Sequence, residues 1–465
     1  MKTRERCRSL LNASFMFLFF ILSCRTVFAS LPEYKCIDTA RGPNVKNVII
    51  MIADGCGYNH VNAASIYRYG ATGAQVYEKF PIRLGMSTYQ VAQGYDPQMA
   101  WKYFDYVTLE YTDSSAAATA MACGVKTYDG AIGVDVDGFQ VENILERAEA
   151  VGKATGVVTS VQFSHATPAS FVAHNVSRGD YRQIVMQMVN DSAADVIMGC
   201  GHPWYDRNGQ LKSTPNGFDY VGGSAVWNSL VAGTAGSDAD GDGIVDPWHL
   251  IQNRSEFQTY ADWSVPAPKR LIGVPQVYQT LQQERSGDAY AAPYIVPMLN
   301  TVPTLAEMAK AALNVLDADE DGFYLVIEGG AVDWAAHANQ SGRVIEEQIE
   351  FGIAVEAAVE WVETCSSWSD TLLIVTADHE TGYMTGPDSG LFDGVPVWNP
   401  LINNGPGVLP GMQWNSGSHT NSMVPFYAKG KGAMLFFVCA RNKDPVRGRY
   451  LDNTDIAGNL FRFLR

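Results

Sequence analysis

Charge is scarce in this sequence, and what there is leans to one sign. Only 18% of the 465 residues are Asp, Glu, Lys or Arg, against roughly 25% in an average soluble protein. The 33 Lys and Arg are outnumbered by 49 Asp and Glu, a net charge of −16. So few cations exclude non-specific nucleic-acid binding, which depends on Lys and Arg neutralising phosphates. They do not exclude an anionic substrate, because bound metal ions invert the local field. There is no CxxC pair, P-loop, GxSxG or HExxH, and no repeat or low-complexity tract. A zinc ribbon and a Walker-type nucleotide site are thereby set aside. Whole-chain disorder is excluded by the 47% of apolar residues, which bury enough surface to offset chain entropy.

The first 29 residues read as an export signal rather than part of the fold. Lys2, Arg4, Arg6 and Arg8 precede the apolar run Leu10–Leu22, and Val27-Phe28-Ala29 offers a small-residue cleavage site before Ser30. Export to the periplasm or the medium follows. The alternative is a lipoprotein, with Ile21-Leu22-Ser23 preceding an acylated Cys24. No later run is long and apolar enough to span a bilayer. Removing the signal leaves six of eight cysteines, which allow fifteen connectivities that sequence does not choose among.

Beyond residue 30, short unbroken apolar runs recur: 45–52, 154–159, 195–198, 323–327, 372–376 and 424–428. Runs of this kind suit strands covered on both faces. Helical patterns lie between them at 141–151, 181–193, 304–316 and 343–364. The alternation predicts an α/β fold with a central, mostly parallel sheet sandwiched by helices. Residues 30–465 read as one catalytic domain, with loop-rich insertions at about 200–300 and at 384–418.

Carboxylates and histidines gather where the runs end. The first leads into Asp54, the run at 323–327 into Glu328, Asp333 and His337, and the run at 372–376 into Asp378-His379. Open α/β sheets bind ligands at the carboxyl ends of parallel strands. A single Asp there is ordinarily a turn or cap residue, but three acidic strand ends in one sheet are harder to read as turns. Asp333 and His337, four apart, share one face of a helical turn. That is a metal-ligand spacing, and equally an ordinary ion pair. Asp378 and His379 reach one site only if their strand has already ended. With His419 in a Gly/Ser loop, these N and O ligands suit catalytic zinc with magnesium nearby. Ser114, in Thr112-Asp113-Ser114-Ser115, opens an alanine-rich helix. By itself it is an ordinary cap region, but its hydroxyl lies where helix amides can hold a phosphoryl group.

The motifs IADG, YTDSSAAATAMACGVKTYDGAIGVD, HATPASFVAH, VIEGGAVDWAAH, TADHE and GSHT stand in this order between about Val45 and Lys429. Together they closely resemble the alkaline phosphatases, bacterial type. The resemblance implies a phosphomonoesterase with Ser114 as the phosphorylated nucleophile and Arg178 clamping phosphate oxygens. It further implies one zinc on Asp333, His337 and His419, and a second on Asp54, Asp378 and His379. A third ion, usually magnesium, would use Asp54, Thr167 and Glu328. A homodimer is implied by resemblance alone. The chain departs from the best-known enterobacterial form in having His165 where that form has Asp and Trp334 where it has Lys. The departures put the third metal in doubt and remove a cation near the phosphate, so faster phosphate release is expected.

Two calcium-loop patterns remain. Asp317-Ala-Asp319-Glu-Asp321-Gly322, with Glu328, matches an EF-hand but leads into a strand pattern rather than a helix. Asp238, Asp240, Asp242, Ile244 and Asp246 occupy calcium-loop positions, with His249 where the bidentate glutamate belongs, and structural calcium is expected there. Two competing functional readings stand beside the phosphomonoesterase. One is a phosphodiesterase of the same superfamily, against which Arg178 speaks. The other is a catalytically silent, calcium-dependent binding protein, against which the complete ligand set speaks.

Overall fold

The computed structural model describes residues 44–464. The export signal, its cleavage point and Cys24 lie outside the described residues. An eleven-stranded sheet dominates. Its strands are β1 (Asn47–Ala53), β2 (Ile82–Ser87), β3 (Ala154–Gln162), β4 (Val196–Cys200), β5 (His249–Ile251), β6 (Leu271–Gly273), β7 (Phe323–Gly329), β8 (Thr371–Thr376), β11 (Val424–Gly430), β12 (Asn442–Asp444) and β13 (Gly448–Asp452). Two short strands, β9 (Glu380–Thr381) and β10 (His419–Thr420), pair with each other outside it. Across the sheet the order is β12-β13-β2-β11-β8-β1-β7-β3-β4-β6-β5.

The seven strands from β8 to β5 all run parallel. Every residue of β1, β3, β7 and β8 is buried, as expected of strands covered by helices on both faces. Those helices include α1 (Tyr58–Tyr69), α2 (Ser114–Cys123), α3 (Ala166–Ser170), α4 (Leu305–Leu316), α5 (Ala331–His337), α6 (Ser341–Cys365) and α7 (Thr454–Phe463). α4 and α6 pack on each other, and α2 lies between α3 and α7. Six of the ten residues of α2 are Ala or Cys, small enough for this close approach. A 25-residue α6, with most of its length buried, closes the other layer.

The architecture matches the α/β expectation, with corrections at the margins. The run at 424–428 forms β11, which is antiparallel to both of its neighbours. Apolar continuity reports burial on two faces, not strand direction. Residues 200–300 do more than loop out of the sheet. They supply its edge strands β5 and β6 and two helices, Ser224–Val231 and Arg254–Ala261. The helix expected over 181–193 is regular only to Met186 and then widens into a π turn, Gln187–Asp191. The 141–151 helix contracts to Ile144–Glu149, where Asn143 and Glu146 form a reciprocal cap. β7 starts directly after the 317–322 turn, so the EF-hand pattern there has no second helix.

That turn shows what a short connection demands. Gly322 has φ +89°, and a Cβ there would collide with the Lys46 carbonyl oxygen. Gly322→Ala should therefore destabilise the protein by about 2 kcal/mol, read as a lowered denaturation midpoint with an unchanged slope.

Candidate active site

Parallel pairing aligns the carboxyl ends of β8, β1 and β7, and neighbouring strands lie about 4.8 Å apart. Glu328, in β7, sits beside Ile52 of β1, and Thr376, the last residue of β8, sits on its other side. Asp54 follows β1 by one residue and Asp378 follows β8 by two. β8 ends before Asp378-His379, so both side chains turn to the same site. Asp378 accepts hydrogen bonds from the Gly55 and His379 amides at 3.0 and 2.9 Å. His379 Nε2 then lies 3.2 Å from Asp378 Oδ2, 3.5 Å from Asp54 Oδ1 and 3.2 Å from Ser114 Oγ.

Asp333 and His337 face the same centre from α5, and His419 reaches it from β10. Asp333 Oδ1 is 3.5 Å from Nε2 of both His337 and His419 and accepts a 2.6 Å bond from Thr381. Each imidazole is oriented from behind. His337 Nδ1 meets the Gly417 carbonyl and His419 Nδ1 the Thr112 carbonyl, both at 2.8 Å. A carbonyl can only accept, so both Nδ1 atoms carry a proton and Nε2 is the atom left for a metal. In the metal-free protein the Asp333 carboxylate facing His419 Nε2 raises that imidazole to about 9 against the effect of burial.

Donor atoms from Asp54, Asp378 and His379 lie within 4.8 Å of one another, as do those from Asp333, His379 and His419. The second group differs from the sequence expectation, with His379 taking the place of His337. The His379 and His419 rings stack at 3.6 Å, while the His337 side chain is 40% exposed. Among the described residues, both oxygens of Asp54, Oδ2 of Asp378, Oε1 of Glu328 and Oγ1 of Thr167 are buried and make no hydrogen bond. Partnerless carboxylate oxygens at such depth are untenable without a countercharge. The donor set is all oxygen and imidazole nitrogen, which fits zinc and magnesium.

The electrostatics agree. Burial, reinforced by Asp378, Asp333 and Glu328, drives the Asp54 carboxyl well above its usual range. Burial likewise pushes Glu328 up to about 7 and Asp378 up to about 6. Asp333 goes the other way, because the neighbouring imidazoles outweigh its burial.

A cavity of about 600 Å³ opens over this cluster, lined among others by Ser114, Arg178, His165, Trp334 and Tyr111. Asp113 caps α2 through the Ala116 amide and holds the Arg178 guanidinium at 2.9 Å. Arg178 outweighs the burial of Asp113 and keeps its carboxyl below the usual range. Sequence reasoning missed this role for Asp113, because residues 65 positions apart leave no local signal. His165 packs edge-on against Trp334, ring centres 5.6 Å apart, and burial holds its imidazole neutral, down to about 3.

The calcium expectation fares differently. Asp238, Asp240 and Asp246 do converge. However, Lys269 Nζ already bridges Asp240 and Asp246, and Asp242 is engaged by the Ile244 amide at 2.8 Å.

A family model for alkaline phosphatase matches residues 45–401. The chain belongs to the alkaline phosphatase family. Alkaline phosphatase 3 of Bacillus subtilis is 28% identical, with 94% of this chain and 93% of that protein aligned. Alkaline phosphatase H of Pseudomonas aeruginosa is 31% identical over 72% of this chain and 69% of its own length. In fold, the chain is similar to the cold-active alkaline phosphatase of a Shewanella species. That match has a TM-score of 0.62 and 23% identity, and covers 90% of this chain and all of the other. The reaction class of the family is metal-dependent hydrolysis of phosphate monoesters, and this alkaline phosphatase has a serine beside its clustered Asp and His ligands.

Raised carboxyl pKa values in the folded, metal-free protein mean that it binds more protons than the unfolded chain between pH 4 and 7. Stability from these groups is complete below about pH 4 and is lost as pH rises through the folded values of about 6 and 7. Metal-stripped protein should therefore lose melting temperature steadily from pH 5 to 8. Metal-loaded protein should not, because cations replace the protons. Parallel pH profiles for the two forms would refute the buried-carboxylate account.

Proposed function

We propose that the chain is an exported phosphomonoesterase in which Ser114 is the nucleophile and Arg178 the phosphate clamp. The observation that carries this reading is the Ser114 hydroxyl at the N-terminal end of α2, 3.2 Å from His379 Nε2 and near carboxylates several of whose oxygens make no hydrogen bond. Asp54, Asp378 and His379 would hold one zinc ion, and Asp333, His337 and His419 the other. Glu328 and Thr167, with Asp54, would hold a third ion, magnesium by resemblance to the family. Such ions lower the pKa of hydroxyl groups and neutralise charge on the oxygens of an in-line displacement. The Lys269 ammonium already pairs with both Asp240 and Asp246, and calcium in the 238–246 loop has no part in this reading. Assembly as a homodimer rests on family membership.

Arg178 presents a planar fork that matches two oxygens of a phosphoryl group. Asp113 fixes the direction of that fork while satisfying the first turn of α2. The N-terminal end of α2 adds a positive partial charge beside Ser114. Ser114 Oγ gives up its proton and forms a bond to phosphorus as the ester P–O bond breaks and the alcohol leaves with a proton. Water then cleaves the phosphoserine, releasing inorganic phosphate and restoring the hydroxyl. Recognition centres on the phosphoryl group, so a broad range of monoesters is expected.

Hydrolysis of p-nitrophenyl phosphate against its bis-ester, at alkaline pH with zinc and magnesium supplied, tests the reading. Strong preference for the monoester, lost on EDTA treatment and reduced roughly a thousand-fold or more by Ser114→Ala, is expected. Preference for the diester would overturn it. At position 334 an indole replaces the cation found in the enterobacterial form. Trp334→Lys should therefore tighten product inhibition by inorganic phosphate and slow its release, and an unchanged inhibition constant would show that Trp334 has no part in phosphate retention.

A further inference from the structure

A second cavity, of about 290 Å³, shares no lining residue with the one over the metal ligands. Its walls include the rings of Tyr58, Tyr95, Trp101, Tyr383 and Trp398, with Glu380 and Ser422 at the β9–β10 side. The polar atom of each ring is already engaged. Tyr58 OH donates to the Leu84 carbonyl, and Tyr95 OH and Trp101 Nε1 both donate to Asp444 at 2.9 Å. Tyr383 OH donates to the Phe104 carbonyl at 2.7 Å and accepts from Trp398 Nε1 at 2.8 Å. Glu380 accepts from Thr420 Oγ1 and the Met384 amide, and Asn59 donates to the Met384 carbonyl. The walls therefore present fixed apolar ring faces to the cavity, with their hydrogen-bonding capacity largely used inside the protein.

Arg447 is the exception. Its guanidinium lies 4.0 Å from the Tyr58 ring centre and 5.7 Å from that of Trp101, half-buried at the edge of the cavity. Among the described residues, no carboxylate or carbonyl pairs with that guanidinium. Asp444, the nearest acid in sequence, is saturated by Tyr95, Trp101 and the amides of Val446 and Arg447. An oriented cation with free N–H groups, set in an aromatic cavity, is the usual composition of a small-molecule site with one polar anchor. A guanidinium held over aromatic rings can offer two parallel donors to a carboxylate.

We propose that this cavity is a second binding site, separate from the phosphate site, for a small organic anion with a carboxylate on an apolar or aromatic body. The carboxylate pairs with Arg447, and the body lies against Trp101, Trp398 and Tyr383. The volume suits a ligand of one ring and a short chain. A free phosphate ion is disfavoured, because it leaves the ring faces uncovered.

Calorimetric titration of the metal-loaded protein with phenylacetate, in saturating inorganic phosphate, tests the proposal. Phosphate occupies the catalytic site, so the heat reports binding elsewhere. Saturable binding is expected, weakened roughly ten-fold or more when the carboxylate is removed by using 2-phenylethanol. The same loss is expected with Arg447→Gln, whose melting temperature and p-nitrophenyl phosphate turnover should stay close to wild-type values, since the guanidinium makes ring contacts but no ion pair among the described residues. Equal affinity for the acid and the alcohol would overturn the proposal, as would unchanged phenylacetate binding by Arg447→Gln. Absence of saturable binding up to about 10 mM would also overturn it, leaving the cavity to be covered by a second copy of the chain.

Discussion

Four carboxylates that cannot all be ionised without help meet at the carboxyl edge of the sheet, and much of the molecule is arranged around that fact. Asp54, Glu328 and Asp378 come from three adjacent parallel strands, and Asp333 leans in from α5, the helix that follows the strand of Glu328. All four are buried, and several of their oxygens have no hydrogen-bond donor. Isolated in a low dielectric, each charge would cost several kcal/mol, so the cluster makes sense as half of a site whose other half is cationic. Strands β1, β7 and β8 are mostly apolar and carry acids only at their carboxyl ends or just beyond them. The sheet therefore serves as a rigid holder, and its polar cost is concentrated at one edge.

Around that edge, a layer of hydrogen bonds decides which atoms face inward. The Thr112 and Gly417 carbonyls fix the His419 and His337 tautomers, and Thr381 does the same for one oxygen of Asp333. The Gly55 amide holds Asp378, and Gly55 has no room for a side chain, since a Cβ would press on Asp333 and Thr381 at 2.8 Å. Asp113 has the broadest task. It ties the first turn of α2, the Gly130 amide and Arg178 together, so the candidate nucleophile and the candidate phosphate clamp are positioned by one carboxylate. Loss of Asp113 would disturb both at once, which is why a residue with no chemistry of its own belongs in any account of the site.

The parts of this design that could be read in the sequence are those with a local signature. Apolar runs announced the strands at the centre of the sheet, and acids immediately after them announced the site. The edge strands β5 and β6 were not legible, because three residues are too few to show a period. β2 was missed because Arg83 and Gly85 interrupt its pattern. Helix α1 has polar residues spread around its surface and lacks an apolar stripe. Thr167 and Arg178 carry no local mark of function, and only resemblance to a family singled them out. The grouping of His379 with Asp333 and His419, and the Lys269 bridge at the calcium-like loop, depend on tertiary contacts that no spacing encodes.

The third ion position shows how far such contacts can alter chemistry without altering the ligands. Glu328 Oε1 and Thr167 Oγ1 are both buried without a hydrogen bond, an oxygen pair suited to magnesium. His165 stands two residues before Thr167, however, with an imidazole that burial and the nearby Arg178 keep neutral. A neutral nitrogen has a lone pair for a transition metal and little for magnesium, whereas the aspartate of the enterobacterial form adds a negative oxygen. Trp334 packs edge-on against the His165 ring. In charge the two departures oppose each other, one removing a carboxylate and the other an ammonium, so relative to the enterobacterial form the surroundings of Glu328 and Thr167 exchange two opposite charges for two packed rings.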